Sequence, residues 1–177
     1  RVFRSGMFAC IFVQTINTLY IMKTTMTFLA CFLSFIFANA TTLTLNNNNP
    51  SPGQFTTWTA AHAAANDGDT ILIHGSTYNY YSLDVHKRLT IIGPGHNPID
   101  KQNAQRAFCD NVLFYAGSNR CKVIGLEASN MQSQNDNVDS VGIYLCKITD
   151  AIYFQTFNCH YWLVDGNVFT SGGNNIN

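Results

Sequence analysis

Charge is scarce in this chain: only 11% of its 177 residues are charged, ten Lys and Arg against ten Asp and Glu. A formal charge of zero removes the broad basic field that nucleic-acid binding needs, so no nucleic-acid partner is expected. His-x-His and Cys-x-x-Cys spacings are both absent, and the histidines are scattered, so no metal site of the zinc type is expected. Gly93 and Gly95 follow an apolar run, but Pro98 stands where a third glycine would fall and no helical pattern follows. That context excludes a phosphate-cradling nucleotide loop. Helix-length apolar periodicity is missing beyond residue 70, which excludes alternating βαβ architecture.

What is present begins with an export pattern. Met22-Lys23 opens a short basic region, Phe28 to Phe37 is apolar, and Ala38-Asn39-Ala40 supplies small residues for cleavage. The apolar run is well short of the ~20 residues a membrane span needs, so residues 22–40 read as a signal peptide cleaved after Ala40. Residues 1–21, which start with Arg1 rather than Met, read as translation upstream of the true start. The exported chain from Thr41 carries seven basic and ten acidic residues, a net charge of −3. Ser171-Gly172-Gly173-Asn174-Asn175-Ile176-Asn177 reads as a turn entering another strand, so the chain is expected to be truncated at its C-terminal side.

Within the exported part, Thr42-Leu43-Thr44-Leu45 alternates as a strand, and Asn46 to Gly53, with Pro50 and Pro52, forms a turn-rich linker. A helix is expected from about Thr56 to Ala65, capped by Thr56 or Thr57, with Trp58, Ala61, Ala64 and Ala65 on one face and Asp67-Gly68 as its stop. Short apolar strands follow at Thr70–Ile73, Leu89–Ile92, Val112–Tyr115, Lys122–Leu126, Val141–Ile148, Ala151–Phe154 and Tyr161–Val164. Val112–Tyr115, Asn119 and Lys122-Val123-Ile124 recur as Ala151–Phe154, Asn158 and Tyr161-Trp162-Leu163, an offset of 39 residues. Setting aside Ser129–Ser140 as a polar insert shortens this to 27, a coil of three short strands with Asn119 and Asn158 in equivalent turns. Cys121-Lys122-Val123 and Cys146-Lys147-Ile148 repeat at 25, a competing register.

The alanine-rich run from Ala60, its break at Asn66-Asp67-Gly68-Asp69, and the strand Thr70-Ile71-Leu72-Ile73 leading to His74-Gly75-Ser76-Thr77-Tyr78 together carry a resemblance. So does Leu89-Thr90-Ile91-Ile92-Gly93-Pro94-Gly95. Over about residues 41–98 the chain resembles the opening of the pectin-lyase-like superfamily, in particular the N-terminal part of secreted bacterial β-helix proteins. The resemblance implies an all-β, right-handed parallel β-helix. Residues 41–67 would be its N-terminal strand and capping helix, and residues 68–177 an incomplete solenoid. It also implies a secreted or cell-surface location.

The chemistry is less defined. Lyases of that superfamily use carboxylate-held Ca²⁺ and an Arg or Lys base; the candidates here are Asp136, Asp139, Asp150 and Asp165 with Arg120, Lys122 or Lys147. They form no cluster in sequence, so no catalytic residue and no cofactor is assigned, Ca²⁺ being reserved for a full-length protein. His62, His74 and His86-Lys87-Arg88 beside Asp84 are explained by turns and helix. Tyr153, Tyr161 and Trp162 read as core, whereas Tyr78, Tyr80 and Tyr81, in a turn, are the exposed candidates for stacking on sugar rings. Cys109, Cys121, Cys146 and Cys159 admit three disulfide pairings if exported. The expected function is an extracellular polysaccharide-binding or surface scaffold protein. The alternative is a polysaccharide lyase or glycoside hydrolase whose catalytic coils lie beyond residue 177.

Overall fold

The computed structural model describes residues 22, 23, 26, 40–48, 51, 53–95, 105–154 and 158–170. The chain divides into two compact units, Arg1–Asn39 and Ala40–Asn177. In the first, Met22, Lys23 and Met26 are helical; the apolar segment Phe28–Phe37 and the closing turn 171–177 lie outside the described residues. No helix among the described residues is long and apolar enough to cross a membrane.

Among the described residues the second unit is predominantly β, with two all-parallel sheets and one short helix. The first sheet contains β1 (Thr42–Leu45), β2 (Thr70–Ile73), β4 (Thr90–Ile92), β6 (Lys122–Ile124), β8 (Gly142–Tyr144) and β10 (Leu163–Asp165), in that order. The second contains β3 (Ser82–Val85), β5 (Phe108–Phe114), β7 (Glu127–Ser133), β9 (Lys147–Phe154) and β11 (Val168–Phe169), again in chain order. From β2 onward the chain alternates between the sheets, and each return adds a strand beside the previous one.

Register places like residues on like. Leu43, Ile71, Ile91, Val123, Ile143 and Val164 form one column across all six strands of the first sheet. The inner four of these are fully buried. In the second sheet Leu83, Val112, Met131 and Ile152 stack the same way and are also fully buried. Burying an aliphatic side chain of this size stabilises by about 1.5–3 kcal/mol, and aligned columns achieve that with few voids.

The observed step corrects both expected repeats. Lys122 pairs with Gly142 and Gly142 with Leu163, steps of 20 and 21 residues. Asn111 pairs with Asn130 and Asn130 with Ala151, steps of 19 and 21. The 39-residue offset is therefore close to two steps, and offsets of 27 and 25 correspond to no pairing. Ser129–Ser140 is not an insert: it contains most of β7, whose outward Asn130 and Gln132 alternate with inward Met131 and Ser133. An irregularity between Ala128 and Asn130 shifts the alternation by one residue and conceals it in the sequence. Val141–Ile148 is likewise two strands, parted at Leu145-Cys146 where the chain turns from one sheet to the other.

Two columns of left-handed residues turn the chain between sheets. Gly125, Leu145 and Gly166, with φ of 66°, 51° and 65°, follow β6, β8 and β10. Arg120, Ser140 and Tyr161, with φ of 64°, 60° and 60°, precede the same strands. Beside the second column, Asn119 Oδ1 accepts the Asp139 N–H at 2.8 Å and Asp139 Oδ1 accepts the His160 N–H at 2.6 Å. The equivalents of Asn119 are thus Asp139 and His160, not Asn158.

The helix α1 spans Trp58–Ala64 and packs against β1 and β3, the terminal strands of the two sheets. Thr57 caps it, Oγ1 accepting the Ala60 N–H at 3.4 Å. Trp58, Ala61 and Ala65 are buried, while Ala64, expected on the same face, is exposed. The helix stops because Ala65 turns extended; Gly68, at φ 94°, serves the next turn instead. Lys87 Nζ donates to the carbonyls of His62 and Ala65, both at 2.7 Å, and so satisfies acceptors that a helix C-terminus leaves open.

Candidate binding cleft

The turn Tyr78–Tyr81 is fixed by short polar side chains. Ser76 Oγ accepts the Tyr78 N–H at 2.9 Å and Asn79 Oδ1 accepts the Tyr81 N–H at 2.7 Å, each bridging two residues on. Asn79 Nδ2 donates to Asp110 Oδ1 at 2.7 Å, tying the turn to β5. Between these anchors Tyr81 adopts a left-handed backbone, φ 60°, and its side chain is thrown outward.

The three tyrosines therefore separate. Tyr78 and Tyr81 are 59% and 70% exposed, as a stacking surface requires. Tyr80 is 6% exposed and belongs to the core, which corrects the expectation that it is an exposed contact. Its hydroxyl donates to the His74 carbonyl at 2.7 Å and accepts the Asn47 N–H at 3.4 Å, so the ring staples the β1 exit to this turn. Burial raises the Tyr80 pKa, with the Asn47 N–H opposing it.

Tyr80 and Tyr81 line a cleft of about 270 Å³ together with Asn47, Asn79, Ser82 and the residues Thr56–Thr59 at the start of α1. None of the lining side chains carries a formal charge. Trp58 forms its floor, with Nε1 donating to the Asp84 carbonyl at 2.9 Å. Asn47 Nδ2 donates to the Asn79 carbonyl at 3.0 Å, while Asn47 Oδ1 is buried without a donor.

The candidate acids and bases do not converge. Asp139 is engaged at a corner by the His160 backbone, with His160 Nδ1 3.4 Å away. Asp150 Oδ2 lies 3.4 Å from the Tyr153 hydroxyl, and Asp136 and Asp165 are exposed on a loop and on β10. Lys122 is exposed on β6, and Arg120 occupies a left-handed corner. Among the described residues no group of three or more His, Cys, Asp or Glu is placed to hold a metal ion. His74 is exposed, and Tyr161 is 85% exposed rather than core. Trp162 packs edge-on against Phe114 and Phe154, with Nε1 donating to the Val138 carbonyl at 2.7 Å.

Sequence reasoning missed one ionic cluster. Glu127, with a side chain 6% exposed, receives Arg106 Nη1 at 2.6 Å and Lys147 Nζ at 3.1 Å on the same oxygen. Lys147 is thus an ion-pair partner, and Arg106 also lies 5.1 Å from the centre of the Phe108 ring. Glu127 stands in register with Lys147 and with Phe108, two residues after Arg106, so a period near 20 would have brought the three together. A second missed group is the ring stack Trp58, His62, His86 and Tyr115, in which His86 and Tyr115 are 4.2 Å apart and nearly parallel.

No disulfide joins Cys109, Cys121, Cys146 and Cys159. Cys121 precedes β6 and Cys146 precedes β9, strands of different sheets, so the two do not stack. Burial drives the Cys109 thiol far above its ordinary range, and pushes Cys121 up to about 12 and Cys146 to about 11. Such thiols are poor nucleophiles. No protein-family model, curated protein or solved structure matches the chain.

Proposed function

We propose that the exported chain is a right-handed parallel β-helix, capped by α1, that binds extracellular polysaccharide through the cleft beside Tyr81. The fold reading is supported by the alternation of the chain between two parallel sheets with a step near 20 residues. One observation carries the binding reading. Tyr81 is held outward by a fixed turn, 70% exposed, beside an uncharged cleft whose lining mixes polar side chains with the Trp58 and Tyr80 rings. Sugar rings present hydroxyls to polar groups and C–H faces to aromatic rings, and this lining offers both.

The purified chain, passed over immobilised polysaccharides, should be retarded on at least one of them. Retardation should be lost in Tyr81→Asn, chosen because Asn tolerates the left-handed backbone, with melting temperature unchanged. Elution of the unaltered chain with a non-binding control protein on every matrix would overturn the reading.

A further inference from the structure

We infer that the cleft beside Tyr81 takes a neutral sugar, one ring or a chain end, and rejects uronates. This rests on the polysaccharide-binding reading above and adds the chemical class of the ligand.

The lining contains Asn47, Thr56–Thr59 and Asn79–Ser82, hence hydroxyls, amides and rings but no Lys, Arg or His. A carboxylate entering it would lose water without gaining a cation, an unfavourable exchange. A carboxylate in contact with the lining has the wrong sign for a uronate: Asp110 Oδ1 holds Asn79 Nδ2 at 2.7 Å. Asn47 Oδ1 adds the negative end of an amide dipole that no donor neutralises. Beyond the cleft, the exported chain has ten acidic against seven basic residues, which also repels polyanions.

A neutral sugar meets none of these penalties. Its hydroxyls can exchange hydrogen bonds with the exposed Thr56 and Thr59, while a C–H face lies on Tyr81. At about 270 Å³ the cleft sits just below the ~300–1,000 Å³ of typical ligand pockets, which suits one ring rather than an extended chain segment.

Calorimetric titration of the full chain tests this, using neutral hexaoses (gluco-, manno-, galacto- and xylo-) and hexagalacturonate, each in Ca²⁺ and in chelator. At least one neutral hexaose should bind, and Tyr81→Asn should weaken it about tenfold, the scale of a lost aromatic contact. Thr59→Lys, on the exposed side of α1, should leave the fold intact and improve uronate binding in a salt-sensitive way. Uronate bound as tightly as the best neutral sugar, with or without Ca²⁺, and weakened by Tyr81→Asn, would overturn this inference while leaving the binding reading in place. Neutral-sugar binding insensitive to Tyr81→Asn would remove the cleft as the site. No binding in either class would remove the binding reading itself.

Discussion

Asn130 stands in register with Ala151 on the next strand, and its Oδ1 is buried with no hydrogen-bond donor. The other side of the same amide is satisfied. Asn130 Nδ2 donates to Asn111 Oδ1 at 3.4 Å, and Asn111 Nδ2 donates to Ser82 Oγ at 3.4 Å. A ladder of polar side chains thus climbs three strands of the second sheet and stops where alanine offers only a methyl group. An unmet buried acceptor costs ~1–3 kcal/mol, so the position above it is a place where stability can be gained.

Ala151→Ser supplies one hydroxyl at that position with the smallest added volume. It should raise the urea midpoint by the equivalent of ~1 kcal/mol, the net worth of one hydrogen bond. Ala151→Val, which adds bulk but no donor, should not. If both substitutions lower the midpoint, packing rather than the orphaned oxygen controls the site.

Leu145 offers a second gain. It occupies the left-handed column between Gly125 and Gly166, at φ 51°, and is 56% exposed. A left-handed L-residue costs ~1–2 kcal/mol, whereas glycine accepts that backbone without strain but gives up unfolded-chain entropy. Leu145→Gly should therefore stabilise by up to ~1 kcal/mol in chemical denaturation. Gly166→Ala should do the opposite, because a new Cβ would also lie 2.8 Å from Leu145 Cδ2. A destabilised Leu145→Gly would mean that the leucine's contacts outweigh its strain.

Much of this architecture was legible because its signals are local. Thr70–Ile73 is a strand from end to end, and Thr57, Trp58 and Ala61 read correctly as cap and buried face. The period was not legible. Thr42 to Thr70, Thr70 to Thr90 and Thr90 to Lys122 are steps of 28, 20 and 32 residues, so no constant offset recurs until the chain reaches Lys122. β3 and β7 were missed because their outward residues are polar and their inward ones few, leaving no apolar run. At the turn, residue type could not separate Tyr81 from Tyr80. Only the left-handed turn sends one ring outward and the other in.

His62 should make stability fall in mild acid. Its Nε2 accepts the His86 backbone N–H at 3.1 Å, which requires the neutral ring and ties α1 to the end of β3. Burial, then Lys87 and His86, lower the His62 pKa below its ordinary 6.5, with Asp84 opposing. In the window between the folded value and 6.5 the unfolded chain binds the extra proton. Stability from this group is therefore complete above 6.5, declines as pH falls toward the folded pKa, and levels off below it. His62→Gln keeps an acceptor and removes the titration. Urea midpoints from about pH 7.5 to pH 5 should fall less steeply in the variant, and parallel curves would refute the assignment.

Cleavage after Ala40 would place a new charge beside a buried one. The Thr41 nitrogen lies 2.7 Å from Asp69 Oδ1, while the Asn66 N–H meets Oδ2 at 2.7 Å, and Asp69 is 1% exposed. Burial opposes the carboxylate, but the N–H donors of Asn66 and Thr41, the Thr41 side chain and the Lys87 charge together outweigh it and hold the Asp69 pKa below its ordinary value. Its contribution is therefore present above about pH 3.9 and lost as pH falls through the folded value. Processing at Ala40 would turn the Thr41 amide into an ammonium at the same position, exchanging a hydrogen bond for a hydrogen-bonded ion pair. Mass analysis of secreted material should then find Thr41 at the N-terminus. At neutral pH the chain beginning at Thr41 should be more stable, by ~1 kcal/mol, than the same chain acetylated there, since a charge-assisted bond exceeds a neutral one by about that amount. Asp69→Asn should erase the difference in a double-mutant cycle. Equal midpoints for the amine and acetylated forms would show that Asp69 needs only the amide, and a mature N-terminus elsewhere would remove the ion pair altogether.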